Sequence, residues 1–121
     1  MMKTKAALKV NTDFTTEVLD LNTNEYNQLR DAVGGLIQPV DLKPDLTVWL
    51  NEEGKLIGLP INLVATHMWD RSFGVGSDAL VGNCVFTGGT DSEGETIELS
   101  HAWIVQIKDF AAALHKVISG K

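Results

Sequence analysis

Short apolar runs separated by polar turns fill the first half of this chain and predict paired β-strands. Residues 5–11 (KAALKVN) and 15–21 (TTEVLDL) are two such runs with three residues between them, which is typical of a β-hairpin. Residues 36–42 (LIQPVDL) predict a further strand. Pro39 places that strand at a sheet edge or a bend, because proline has no N–H to donate. Residues 45–50 (DLTVWL) carry the β-branched and aromatic side chains that favour a fourth strand.

The second half of the chain shows the same pattern of strands joined by tight turns. Residues 51–54 (NEEG) predict a turn, since the glycine can adopt the positive φ that such turns need. Residues 55–61 (KLIGLPI) are then expected to return as the partner strand. Residues 79–89 (ALVGNCVFTGG) are strongly apolar and predict a central strand. After a second turn at 90–95, residues 96–99 (TIEL) are expected to pair back.

A helix start is predicted near Asn22. Glu25 lies three residues after Asn22, as in a capping box, and Leu21 and Tyr26 occupy the two positions of a hydrophobic staple. The glycines at 34–35 can supply the left-handed residue that ends the helix. Three apolar residues fall on one face at helical spacing: Tyr26, Leu29 and Val33.

The C-terminal segment predicts a long helix over residues 101–119, capped by Ser100 and ended by Gly120. Residues 102–107 also have strand propensity, so the alternative is a strand followed by a helix that starts near Asp109. We favour the single helix because its apolar stripe is unbroken. The stripe consists of Ile104, Ile107, Ala111, Leu114 and Ile118.

Between these segments, Asn62 predicts the cap of a short helix over residues 63–69, which the loop 70–78 ends. The predicted order is therefore β-β-α-β-β-β-α-β-β-α, with sequential strands in neighbouring pairs. This order indicates an α+β fold with a mainly antiparallel sheet built from hairpins. Three helices accompany the sheet: one in the N-terminal half, a short one in the middle and one at the C-terminus.

Length and composition predict one soluble domain over residues 1–121, large enough to bury a core. Sixteen acidic against ten basic residues give a formal net charge of -6, which argues against binding to nucleic acid or to an anionic membrane. The single cysteine, Cys84, excludes an internal disulfide and fits a reducing cytoplasm. The N-terminus lacks the apolar segment of a secretion signal. No run approaches the eighteen apolar residues of a membrane span.

No motif for catalysis, a metal or a cofactor is recognisable. His67, His101, His115 and Cys84 show no C-x-x-C or H-x-x-x-H spacing. His101 and His115 would lie roughly 21 Å apart along one helix, too far to share a metal ion. Cys84 lies in an apolar strand, where a buried and inert thiol is expected. We therefore expect a non-enzymatic protein without catalytic residues, metal or cofactor.

The glycine-rich segments and the acidic turns also lack the complete motif of a known binding or catalytic site. The segments 74–76 (GVG) and 87–90 (TGGT) complete neither G-x-G-x-x-G nor a phosphate loop with G-K-[ST]. The backbone N–H groups of 74–78 could still cradle an anion as a nest. The paired acids at 52–53 and the acids of 91–95 lie in turns, where most carboxylates face solvent.

The best candidate for a binding surface is residues 66–73 (THMWDRSF) with the loop that follows. Tryptophan and arginine are enriched in the residues that dominate binding energy, and an aromatic–arginine pair can stack a nucleobase. The alternative is structural: Met68 and Trp69 close the helix onto the sheet while Asp70 and Arg71 are solvated. The candidate binding residues are His67, Trp69, Asp70, Arg71, Phe73, Gly74, Gly76 and Ser77.

Residues 33–99 resemble a known family. Three features carry the likeness: N-E-E-G-K at 51–55, L-P-x-N at 59–62, and the strand start D-x-L-x-G at 78–82. In combination these resemble domain-of-unknown-function family 3846. Because that family is found in bacteriophages, prophages and mobile elements, the resemblance implies an accessory protein of a phage or mobile element. It implies no activity and supplies no catalytic residues.

Size, acidity and the resemblance together lead us to expect a small binding protein that acts in the cytoplasm of a host bacterium. It would engage a host protein or a small nucleotide-like ligand stoichiometrically, in host takeover or counter-defence. One alternative is a sponge that sequesters a nucleotide immune signal, and another is a small hydrolase or transferase. A third is a homo-oligomerisation module whose C-terminal stripe packs against its own copy.

Overall fold

A computed structural model describes residues 4–120 as one antiparallel sheet with helices on both faces. The elements follow the order β-β-α-β-β-α-β-α. The five strands are β1 (Ala6–Val10), β2 (Thr16–Asp20), β3 (Ile37–Lys43), β4 (Leu46–Asn51) and β5 (Cys84–Thr87). The three helices are α1 (Glu25–Val33), α2 (Leu63–Phe73) and α3 (His101–Ser119). The predicted α+β class and the three helix positions are confirmed.

The strand order across the sheet is β2-β1-β5-β4-β3, with every neighbouring pair antiparallel. The N-terminal hairpin and the central place of β5 are as predicted. Strand β3 forms one edge, so Pro39 lies where a missing N–H is tolerated. A register shift between Asp41 and Lys43 further distorts this edge. Both features protect β3 against pairing with another chain.

The two faces of the sheet carry separate cores, which follow from the alternation of side chains along each strand. On β4, Val48 and Leu50 point towards α2 and α3, while Trp49 points towards α1. Helix α3 crosses the first face and buries Ile107 and Ala111 completely. No helix within residues 4–120 combines the length and hydropathy needed to span a membrane.

The prediction of a strand at 55–61 is wrong. The chain coils there instead: the Ile57 N–H donates to the Glu53 carbonyl and the Leu59 N–H to the Gly54 carbonyl. Only an isolated bridge joins Ile61 to Val81. The physical reason is that β3 and β5 already occupy both edges of β4, so β4 has no edge left for a returning strand.

One further strand prediction was too long, and another was wrong. Strand β5 covers only 84–87 of the predicted 79–89, because Gly82 has a φ of 80° that interrupts extended backbone. Residues 96–99 do not form a strand, although their chain does turn back. A bridge joins Thr90 to Thr96, and Ile97 exchanges backbone hydrogen bonds with residues 88–89.

Helix α1 begins at Glu25, so the predicted cap at Asn22 is wrong. Asn24 occupies the cap position in a left-handed conformation and makes no side-chain capping bond. The Glu25 carboxylate does not fold back onto the chain but accepts hydrogen bonds from Lys5 Nζ and Thr96 Oγ1. Tyr26 is exposed, whereas Leu29 and Val33 are buried as predicted. Gly34 ends the helix in the left-handed region, as expected.

The caps of α2 and α3 are confirmed. The Asn62 and Ser100 side chains accept hydrogen bonds from the N–H groups three residues later in each helix. Helix α2 continues to Phe73, four residues beyond its predicted end, and Gly74 ends it. Helix α3 is continuous over 101–119, which rejects the alternative of a strand at 102–107.

Candidate functional site

Asn62 anchors the start of the helix that carries the candidate residues. Its side chain is fully buried, and its Nδ2 donates to the carbonyls of Val10 and Gly82 at 3.1 and 2.9 Å. Its Oδ1 accepts from the Ala65 N–H at 3.1 Å. These bonds join α2 to β1 and to the approach of β5. The position of α2 over the sheet is therefore set by a buried and satisfied polar group.

Trp69 organises the loop after α2. Its ring lies 4.4 Å from the ring of Phe73, centroid to centroid, and its Nε1–H donates to the Ser77 hydroxyl at 2.7 Å. The Ser77 hydroxyl in turn donates to the Gly74 carbonyl at 3.0 Å. The structure thus brings four of the predicted residues together: Trp69, Phe73, Gly74 and Ser77.

Two N–H groups of the proposed anion nest at 74–78 are already directed at Asp70 of the protein. The Gly76 N–H points at Asp70 Oδ1 at 3.4 Å, and the Gly74 N–H donates to the Asp70 carbonyl. A carboxylate in this place repels an incoming phosphate. Arg71 is exposed, and no carboxylate within residues 4–120 lies close enough to pair with it.

His67 does not join this cluster. Its ring stacks on the Phe110 ring of α3 with the centroids 4.1 Å apart. The side chain therefore connects two helices and has a packing role. The predicted set of eight residues is thus divided: His67 lies in a helix–helix contact, Arg71 is exposed, and the other six lie in or beside the loop-side cluster around Trp69.

A cleft of about 320 Å³ opens beside Trp69, between α2 and the β3–β4 hairpin. Val40 and Leu50 of the sheet and Leu80 supply apolar lining, and Trp69 forms a wall. Leu80 is tied to α2, since its N–H donates to Thr66 Oγ1 at 3.0 Å. The size and apolar lining are those of a small-ligand or side-chain pocket.

Charged residues from two loops surround the mouth of this cleft. Glu52 and Lys55 come from the turn after β4, and Asp78 comes from the segment before β5. Lys55 Nζ pairs with Asp78 Oδ1 and holds the two loops together. This hydrogen bond, with a smaller one from the Ala79 N–H, lowers the pKa of Asp78 below its usual value, and burial opposes the shift. The sequence spacing did not point to these three residues, because they meet only through the packing of the two loops.

The same two loops expose large apolar side chains. On the first loop Leu56 is 86% exposed and Ile57 is 62% exposed. On the second loop Val75 is 90% exposed, and Phe73 at its start is 50% exposed. We call this set the loop surface: Leu56, Ile57, Phe73 and Val75. None of the four lines the cleft beside Trp69, and Ile57 lines a second cleft with Lys9 and Val33. Exposed apolar side chains concentrated on neighbouring loops are a feature of surfaces that bind a partner.

The other candidates for chemistry lie elsewhere. Cys84 is fully buried, as predicted, and burial raises the pKa of its thiol. His115 stacks on Phe14 in the first hairpin, and His101 is exposed at the start of α3. Across residues 4–120, no three His, Cys, Asp or Glu side chains are grouped closely enough to hold a metal ion.

The family model described as "Domain of unknown function (DUF3846)" matches residues 2–112, so this chain belongs to that family. The match extends beyond residues 33–99, where the resemblance was recognised, and includes the N-terminal hairpin and more than half of α3. No curated protein and no solved structure matches the chain.

Proposed function

We propose that this member of the DUF3846 family is a non-catalytic accessory protein of a phage or mobile element, and that it binds a host protein stoichiometrically in the bacterial cytoplasm. The loop surface is the observation that carries the proposal. Its four apolar side chains lie on two loops joined by the Lys55–Asp78 pair. This pair keeps the two loops adjacent, so a partner can contact side chains of both loops at once.

The energetics suit a protein partner. Fully burying one large apolar side chain contributes about 1.5–3 kcal/mol. Four exposed apolar side chains on two neighbouring loops supply the kind of anchor that dominates protein interfaces. Trp69 lines the cleft between the two loops, and the net charge of -6 favours a basic partner.

A sponge for a nucleotide signal receives less support from the site. Phosphates need unpaired cations or free N–H groups. Lys55 is paired with Asp78, and Asp70 lies against the Gly76 N–H. Arg71 is accessible but is not among the residues that line the cleft.

Binding also accounts for the site better than catalysis does. A general acid in a pocket needs a raised pKa, whereas the pKa of Asp78 is lowered. The Cys84 thiol is buried, and the three histidines lie in separate surroundings. Self-association through the C-terminal stripe receives less support, because Ile107 and Ala111 of that stripe are fully buried within the protein and Ile118 is its one exposed member.

Affinity capture from a bacterial lysate with matched variants tests the proposal. The double variant Leu56→Ser/Val75→Ser removes the two most exposed side chains of the loop surface. The control Val105→Ser/Val117→Ser changes exposed residues of α3 that do not line the cleft. We expect one protein to be retained in a fixed ratio by the wild type and the control and to be lost by the loop variant. The proposal is contradicted if the loop variant retains the same protein as the wild type, or if the retained protein is substoichiometric.

A further inference from the structure

We infer that the cleft beside Trp69 binds a lysine or arginine side chain of the partner protein, with the apolar stem against the floor and the cationic head at the rim. This inference rests on the proposed function and specifies what the partner presents to the cleft between the two loops. Three features of the cleft carry it: an apolar floor, an aromatic wall and an excess of carboxylates at the mouth.

The floor and the wall fit the stem of a basic side chain. Val40, Leu50 and Leu80 offer apolar contact to methylene groups. Trp69 stands beside them, and its Nε1–H is held by the Ser77 hydroxyl, which fixes the plane of the indole. A cation over the face of a tryptophan is attracted by the negative face of the ring.

The rim fits the head group. Glu52 and Asp78 place two carboxylates at the mouth of the cleft against the single ammonium of Lys55. Lys55 contacts Asp78, and within residues 4–120 no cationic side chain pairs with Glu52. The Glu52 carboxylate is therefore available to accept hydrogen bonds from an incoming ammonium or guanidinium.

Charge selects this ligand class over an anionic one. The rim carries a net negative charge, and the whole protein carries a formal charge of -6. Apolar walls focus such a field into the cleft, so a cation is drawn in and a phosphate or carboxylate is repelled. A neutral apolar side chain would gain the floor contacts but none of the attraction at the rim.

Three tryptophans provide a reporter and two internal controls. The Trp69 indole N–H donates to Ser77 at the cleft, whereas the Trp49 N–H donates to Thr87 within the sheet. The Trp103 N–H donates to Asp45 at the far turn. Each indole N–H gives its own signal in a ¹H–¹⁵N spectrum, so a ligand in the cleft is distinguished from one that binds elsewhere.

The test titrates the full-length protein with N-acetyl-arginine amide and with N-acetyl-citrulline amide, which has nearly the same shape but no charge. We expect a saturable shift of the Trp69 signal with the arginine compound, at least about tenfold weaker binding of the citrulline compound, and no shift of Trp49 or Trp103. Equal effects of the two compounds, or no shift of Trp69, overturn the inference.

Matched charge variants sharpen the result. We expect Glu52→Gln to weaken arginine binding by about threefold, as for a solvent-accessible ion pair. Glu53→Gln changes the neighbouring acid, which does not line the cleft, and should leave binding unchanged. An equal loss of arginine affinity in both variants would show that Glu52 does not contact the bound cation.

The outcomes separate this inference from the proposed function. If a partner is captured through the loop surface but the arginine compound has no advantage over the citrulline compound, the inference fails and the proposed function stands. If arginine binds selectively at Trp69 but the loop substitutions leave capture unchanged, the proposed function fails.

Discussion

The Trp69 indole N–H donates a 2.7 Å hydrogen bond to the Ser77 hydroxyl and so connects α2 to the loop that follows it. This bond and the contact between the Trp69 and Phe73 rings position Trp69, which lines the cleft, and Phe73, which belongs to the loop surface. Ser77 is an exposed residue whose side chain has a positional role.

Substituting Ser77→Ala should loosen the loop without unfolding the protein. The lost bond lies at an exposed site, so we expect a change of about 0.5 kcal/mol or less in the free energy of unfolding. Hydrogen exchange of the Trp69 indole should accelerate while that of Trp49 stays constant. Unchanged exchange at Trp69 would show that the bond does not hold the loop.

Asn62→Ala should be strongly destabilising. It removes a helix cap and leaves the Val10 and Gly82 carbonyls unpaired in a buried site, which costs about 3 kcal/mol in total. Urea unfolding measures this cost. The control is Asn22→Ala, since Asn22 lies at the position where sequence alone predicted a cap and the structure shows none. A cost for Asn22→Ala near that of Asn62→Ala would contradict the structure of the α1 terminus.

The Cys84 thiol should be unreactive in the folded protein. Its side chain is fully buried and burial raises its pKa, so the thiolate is both scarce and shielded. A disulfide reagent should label it at the rate of global unfolding in buffer and rapidly in urea. Rapid labelling in buffer would contradict the placement of β5 in the core.

Asp78 should titrate below 3.8, the usual value for an aspartate, because Lys55 holds the charged form. Its contribution to stability is present above that pH and is lost as the pH falls through the folded pKa; it is small because both side chains are accessible. Carboxyl NMR titration should show the Asp78 pKa rising towards 3.8 in Lys55→Met. The control is Asp20, whose lowered pKa comes from the backbone N–H groups of Lys5 and Asn22 and should not change. An unchanged Asp78 pKa would contradict the loop–loop pair.

Local signals in the sequence were sufficient to predict several features of this fold. Ser100 and Asn62 cap their helices as predicted, because capping depends on residues within one turn. Pro39 indicated an edge strand, because the missing donor acts at its own position. Trp69 and Phe73 were candidate binding residues by residue type alone, and the longer helix α2 brings their rings into contact.

Non-local competition explains what the sequence could not predict. Residues 55–61 have the composition of a strand, but β4 pairs with β3 and β5 instead. Glu25 was expected to complete a capping box, but it meets Lys5 and Thr96 from distant segments. Glu52 was expected to be a solvated turn residue and Lys55 to start a returning strand, and only the packing of their loop against residues 78–81 places them at the cleft.

The affinity of the captured host protein for the loop variant tests the central claim most directly. Calorimetric titration should give a fixed stoichiometry for the wild type. The Kd should be at least about tenfold weaker for Leu56→Ser/Val75→Ser and unchanged for Val105→Ser/Val117→Ser. Equal Kd values for the wild type and the loop variant would contradict the account.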